Sequence, residues 1–286
     1  ETWNVICVWL DPKMDKIPEE FQNFGTNGLY EWMKMVIDIS AQKWVTMFKP
    51  QYAHWEAING WKIVLKKIIQ YIKKTYPKIP VFWDCKRWDI WGTQAMYKNA
   101  ILWIDWVQWM NFSPYMWEDC YTSLYDDINY PWTSIVSLCR TSNPKAWAMQ
   151  DVVIWQEKGR MTYYEYIAKQ MDVWTIENWD KNAWLVMWAA HEYWNFDCLK
   201  KHAADFPFLN FRIPEWESWD FYSEHFTHVR KIVGDRLWFL IPWIWSQTWN
   251  KEDNMRALEA TIRDSYVWPW SISINSSSGI SEAHMK

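Results

Sequence analysis

IPVFWDCKRWDIWGT, residues 79–93, passes within fifteen positions from a β-like apolar run to a cluster of charge and then to a helix start. The run 79–83 is too short and too apolar for a helix face, and it reads as a buried strand. Asp84, Lys86 and Asp89 follow it directly. Working outward, the same grammar recurs. Short β-like runs stand at 4–10, 44–48, 79–83, 105–111, 134–139, 184–189, 237–242 and 271–275. Segments of helical spacing lie between most of them. The clearest is WKIVLKKIIQYIKKTY, 61–76, with apolar residues at 63, 64, 65, 68, 69 and 72 and lysines on the other face. Segments 196–206 and 251–264 behave likewise.

Alternating β and α segments with near-continuous apolar strands imply a parallel sheet covered by helices. Eight such units predict an α/β fold of the (β/α)8 TIM-barrel kind, one domain over 1–286, with an insertion at 207–236. A doubly wound open sheet is the alternative. No GxGxxG follows the first strand and no GxxxxGK[ST] occurs, which weighs against nucleotide folds built on those loops. The 286 residues suit such a barrel, which needs roughly 250.

Composition excludes other classes. The net charge of −4 is mixed along the chain, so no basic stripe marks a nucleic-acid surface. The longest apolar run, near 237–245, is too short for the roughly 20 residues of a membrane span. Five scattered cysteines without CxxC spacing read as reduced thiols, which, with no secretion signal, predicts a cytoplasmic protein. His225 and His228 stand three apart, but no third ligand lies near them in sequence, so no metal is expected.

Polar residues gather after the predicted strands: Asp11, Lys49, Asp84 and Lys86, Asn111, Thr141–Asn143, His191, Gln247 and Ser276–Ser278. In an α/β barrel these all project onto the rim where active sites are built. If the third strand persisted to Lys86, Asp84 and Lys86 would point the same way. Asp89 would open the next helix, where an anion is favoured. With Lys49 beside them, two ammoniums and two carboxylates would keep one another ionised. A structural salt-bridge cluster would have the same spacing.

These residues match a known pattern. DCKRWDIWGT, 84–93, resembles the DxKxxDIxxT signature of the orotidine 5′-monophosphate decarboxylases. The segments 9–18, 48–56, 111–119, 138–151, 185–191, 240–249 and 274–280 agree in order, and TSNP at 141–144 is similar to the larger bacterial branch of that family. The resemblance implies a homodimeric barrel that forms UMP and carbon dioxide without metal or cofactor. It implies that Lys86 protonates C6 of the pyrimidine and that Asp84 sits against the substrate carboxylate. Lys49 would bridge the ribose and the carboxylates, and Asp11 would hold ribose hydroxyls. Asp89, Ile90 and Thr93 would reach into the partner subunit's site. Ser142 would read the pyrimidine amide edge and Gln247 would touch phosphate, with Ser278 standing at the family's phosphate-binding Arg.

Against that pattern the chain departs at glycines. It has 29 Trp and 7 Gly. Trp9, Trp88, Trp91, Trp117, Trp188, Trp243, Trp245 and Trp249 stand where the family usually has Gly. An indole in a phosphate loop adds bulk where bare backbone should approach the ligand. A second expectation is therefore an impaired barrel with a blocked loop. At such positions the chain must also carry positive-φ strain of about 1 kcal/mol or more per site.

Overall fold

The computed structural model describes residues 6–43, 45–104, 107–125, 133–143, 145–156, 159–189, 195–211, 223–242, 251–267 and 271–276. Among these described residues are ten strands: β1 Ile6–Leu10, β2 Met47–Pro50, β3 Phe82–Trp83, β4 Trp109–Phe112, β5 Ser134–Arg140, β6 Val153–Gln156, β7 Gly159–Thr162, β8 Trp184–Met187, β9 Trp238–Ile241 and β10 Ile272–Ser276. Eight of them form one parallel sheet in the order β2-β1-β10-β9-β8-β5-β4-β3. Its two end strands, β2 and β3, meet through bridges between Phe48 and Val81 and between Gln51 and Asp84. The sheet thus nearly closes on itself, with helices between successive strands, which is the (β/α)8 barrel that the eight apolar runs predict.

By their contacts the residues gather into two compact units, 1–136 with 273–286, and 137–272. In the first, β1 pairs with β2 in the register Cys7↔Met47, Val8↔Phe48, Trp9↔Lys49, Leu10↔Pro50, and with β10 through Ile6↔Ile274 to Val8↔Ser276. The helix Trp61–Thr75 buries Val64, Leu65, Ile68, Ile69 and Ile72, each such side chain contributing about 1.5–3 kcal/mol. Ile63, grouped with that stripe in sequence, is instead exposed. The stripe packs against the helix Gly25–Ala41, whose buried Leu29, Trp32, Met33, Val36 and Ile37 repeat at helical spacing.

In the second unit, β8 and β9 pair in parallel from Trp184↔Trp238 to Val186↔Leu240. An antiparallel hairpin, β6–β7, precedes the helix Tyr163–Glu177. That helix starts with a capping contact, in which the Thr162 N–H donates to the Glu165 carboxylate at 2.7 Å. The segment 207–236, aperiodic in sequence, contains the helix Glu224–Val233. Its two histidines go separate ways: His225 Nε2 lies 2.6 Å from the Trp188 carbonyl, and His228 Nδ1 lies 3.3 Å from Glu165 Oε1. Among the described residues no group of three or more His, Cys, Asp or Glu could hold a metal, and no helix is long and apolar enough to cross a membrane.

Candidate active site

Alternation along the first four strands sends one set of side chains inward. Cys7, Trp9 and Asp11 come from β1 and its end, Met47 and Lys49 from β2, Phe82 and Asp84 from β3 and its end, and Trp109 and Asn111 from β4. At the deep level this face is apolar. At the C-terminal ends of the strands it turns polar, where α/β barrels build their sites.

Asp84 is the centre. Lys49 Nζ holds its Oδ2 at 2.6 Å and Lys86 Nζ holds its Oδ1 at 2.6 Å. The Asn111 side-chain amide donates to the same Oδ1 at 2.5 Å. Backbone bonds fix the carboxylate's own strand end: the Asp84 N–H donates to the Pro50 carbonyl and the Tyr52 N–H donates to the Asp84 carbonyl. Burial by itself would raise the Asp84 carboxyl, but the two ammoniums outweigh it and hold the group well below its ordinary range. Burial likewise works against the Lys49 cation, yet Asp84, Asp11 and Cys7 together push Lys49 upward. Asp11, 7% exposed, goes the other way. Burial raises it more than Lys49 and the Gln51 N–H lower it.

Three differences from the sequence reading have physical causes. Lys49 lies inside β2, not after it. It is tolerated there because Asp84 neutralises it. β3 ends at Trp83, so Lys86 does not share a strand face with Asp84. Its backbone turns into the left-handed region at φ 46°, held by Asn111 Oδ1, which accepts the Lys86 N–H at 2.8 Å. The side chain then folds back onto Asp84. Asp89 does not join the cluster within this chain. Its Oδ1 accepts the Ile90 N–H at 2.7 Å, at the start of the helix Trp91–Lys98. Ile90 and Thr93 are exposed beside it.

Asn111 was legible only as a polar strand end, yet it links the Asp84 carboxylate to the Lys86 backbone. Its signal is position: it stands at strand register beside Asp84, one strand over. Ser142 lies half-buried in the loop after β5. His191, Gln247, Ser277 and Ser278 lie outside the described residues, as do Trp243, Trp245 and Trp249. Among the described indoles at family glycine positions, Trp117 alone has positive φ, at 65° with ψ −150°, a region that only glycine occupies without strain. At Trp9, Trp88, Trp91 and Trp188 the backbone avoids that region, so the strain expected there is not carried. Trp9 lies with its ring centroid 3.9 Å from Lys49 Nζ.

Fold and site together define a (β/α)8 barrel with a lysine–carboxylate cluster at the ends of neighbouring strands. Comparison with known proteins points the same way. Orotidine 5′-phosphate decarboxylase of Ralstonia nicotianae is 30% identical over 171 residues, 60% of this chain and 60% of that protein. The Cupriavidus necator enzyme of the same name is 29% identical over 254 residues, 89% of this chain and 77% of its own length. The chain thus spans about 60% of the length of one and about three-quarters of the other. Among solved structures, the OMP decarboxylase of Leishmania donovani superposes with a TM-score of 0.67 at 22% identity, covering 97% of this chain and 86% of that one. The UMP synthase of the same organism gives 0.69 over 98% of this chain and 51% of its own. No protein-family model matches the chain. By sequence and by fold, the relatives of this barrel are orotidine 5′-phosphate decarboxylases.

Proposed function

We propose that the protein converts orotidine 5′-monophosphate to UMP and carbon dioxide, a step of pyrimidine biosynthesis. The observation that carries the reading is the Asp84 carboxylate held at 2.6 Å by two ammoniums, one of them exposed and mounted on a left-handed turn. When the bond from C6 to the carboxylate breaks, its electron pair stays on the ring carbon. A fixed cation beside that carbon stabilises the developing charge without reorganisation. Lys86 would do this and deliver the proton; what supports that choice is that its side chain is 43% exposed while Lys49 is 1% exposed. Asp84 keeps the lysines oriented and faces the substrate carboxylate. In this reading Asp11 would take the ribose hydroxyls and Ser142 the pyrimidine edge, while Gln247 and Ser278, outside the described residues, are assigned to the phosphate by the family resemblance alone.

The same reading includes a homodimer. Asp89, Ile90 and Thr93, outside the cluster of their own chain, would complete the partner subunit's site. It also includes a single barrel domain with an insertion at 207–236, residence in the cytoplasm, and chemistry in which lysines supply both the charge and the proton, without a cofactor. The test is to incubate the full chain with orotidine monophosphate and follow absorbance loss and carbon dioxide release. Turnover that Lys86→Ala abolishes is expected. No turnover, together with no thermal stabilisation by UMP, would overturn the reading.

A further inference from the structure

Lys49 and Lys86 grip the same carboxylate at the same distance, but their access differs. Trp9 and Lys49 are register partners on adjacent parallel strands, so their side chains leave the sheet on one face. The Lys49 ammonium lies 3.9 Å from the Trp9 ring centroid and 5.9 Å from that of Phe82, both within the range of a cation–π contact. One side of the ammonium is taken by Asp84 Oδ2 and another by the indole face. A ligand atom that reached Lys49 would have to take the space of the indole or replace Asp84. Replacing Asp84 would strand a buried carboxylate beside Lys86, which is costly.

We propose that Trp9 is a specificity-determining residue of this site. Its indole shuts the ligand off from Lys49, so that Lys49 is a positioning residue acting through Asp84, and the ligand is recognised through Lys86 and Asp11 instead. The inference rests on the nucleotide reading above for its choice of ligand, UMP, while the shielding itself rests on geometry.

The experiment is lysine acylation of the full chain with acetic anhydride, resolved residue by residue by peptide mass mapping, with and without UMP. In the wild-type protein Lys86 is expected to react at least about ten-fold faster than Lys49, as access from solvent differs. UMP should slow the reaction at Lys86 and leave that at Lys49 unchanged. In Trp9→Ala the rate at Lys49 should rise about ten-fold and become sensitive to UMP, since the opened space admits both reagent and ligand. Trp9→Leu keeps cover over the ammonium, so it should raise the rate less than Trp9→Ala does.

Lys49 acylated as fast as Lys86 in the wild-type protein, or protected there by UMP, would overturn the proposal. So would an unchanged Lys49 rate in a Trp9→Ala protein that retains its circular dichroism and melting transition. The wild-type comparison needs no variant to fold. Protection of no lysine by UMP, with Lys49 still opened by loss of Trp9, would instead sink the nucleotide reading and leave the shielding standing.

Discussion

Two buried clusters among the described residues look equivalent as charge pairs and differ as chemistry. Asp84 is gripped by Lys49 and Lys86. In the other compact unit, Arg140 holds Asp151 through one hydrogen bond, Nη2 to Oδ2 at 3.1 Å, and an ion contact of Nη1 with Oδ1 at 2.8 Å. The second pair is closed: both side chains are under 10% exposed, and the guanidinium lies 4.7 Å from the Tyr164 ring centroid. A single guanidinium faces the carboxylate at close range. The Asp84 cluster is unmatched, with two ammoniums and an amide on one carboxylate. One cation is exposed, and its backbone carries left-handed strain. Burial of charge alone therefore does not mark a site. Surplus charge, one accessible donor and stored strain do.

The sharpest way to break this contrast is to remove one cation from each cluster. Lys86→Ala should lower turnover of orotidine monophosphate by about 10³-fold or more, since it removes both charge and proton. Its effect on stability should stay within about 1 kcal/mol, because a half-exposed ion pair contributes little. Arg140→Ala should show its effect in stability. Leaving Asp151 buried without its guanidinium should cost about 3–5 kcal/mol, read as a shift in the urea midpoint. A stability loss at Lys86 as large as that at Arg140 would erase the distinction.

Titration sharpens it further. Asp84 is depressed in the folded protein, so its stabilising contribution is present above its ordinary value of 3.8 and is lost as pH falls through the lower folded value. Lys49 is raised, so its contribution is present below 10.5 and is lost as pH rises through the higher folded value. Urea midpoints should therefore fall on both flanks. Asp84→Asn should remove most of the acid-side slope between about pH 4 and 2 and lower stability at neutral pH by about 3 kcal/mol, because it leaves Lys49 buried without its anion. An acid flank that survives unchanged in Asp84→Asn would place the titrating group elsewhere.

Two of the three described non-glycine residues with positive φ make a milder test. Trp117 and Lys86 both have positive φ. At Trp117 nothing in the cluster uses the strain, so Trp117→Gly should raise stability by about 1–2 kcal/mol with turnover per folded molecule unchanged. Thermal melts and kinetics on the same preparations read both. A destabilised Trp117→Gly would mean that packing of the indole outweighs its backbone strain.

The barrel was legible because eight apolar runs alternate with helical stripes, and burial imposes that pattern on sequence. Strand limits were less so. β2 and β4 begin later than their apolar letters suggest and extend to Pro50 and Phe112. Lys49 is hidden from a hydropathy reading because a charged residue scores as the end of a strand, whereas here a neighbouring strand neutralises it. The hairpin β6–β7 was missed, since its second strand, GRMT, has no apolar alternation to announce it. The proximity of Lys49, Asp84 and Lys86 could be anticipated from adjacent strand ends. The left-handed turn at Lys86 could not, because no local residue requires it and its stabilising partner, Asn111, is 25 positions away.

Asp11 provides the smallest effect and a direct trade between the two kinds of cluster. Burial raises its carboxyl more than Lys49 lowers it. An acid raised on folding loses stability as pH climbs from its ordinary value through the raised one, so at neutral pH ionised Asp11 is a net burden on the fold. Asn in its place keeps an acceptor for the Gln51 N–H and removes that burden. Asp11→Asn should therefore be more stable than wild type by about 0.5–1 kcal/mol at pH 7, with the two urea midpoints converging below about pH 3, where both side chains are neutral. The same variant should bind UMP more weakly, because a neutral amide is a poorer acceptor for ribose hydroxyls than a carboxylate. Calorimetry with UMP beside the denaturation series would show both changes. A variant that lost stability instead would mean that the Asp11–Lys49 attraction exceeds the cost of burying the carboxylate, and Asp11 would then belong with the matched Arg140–Asp151 pair.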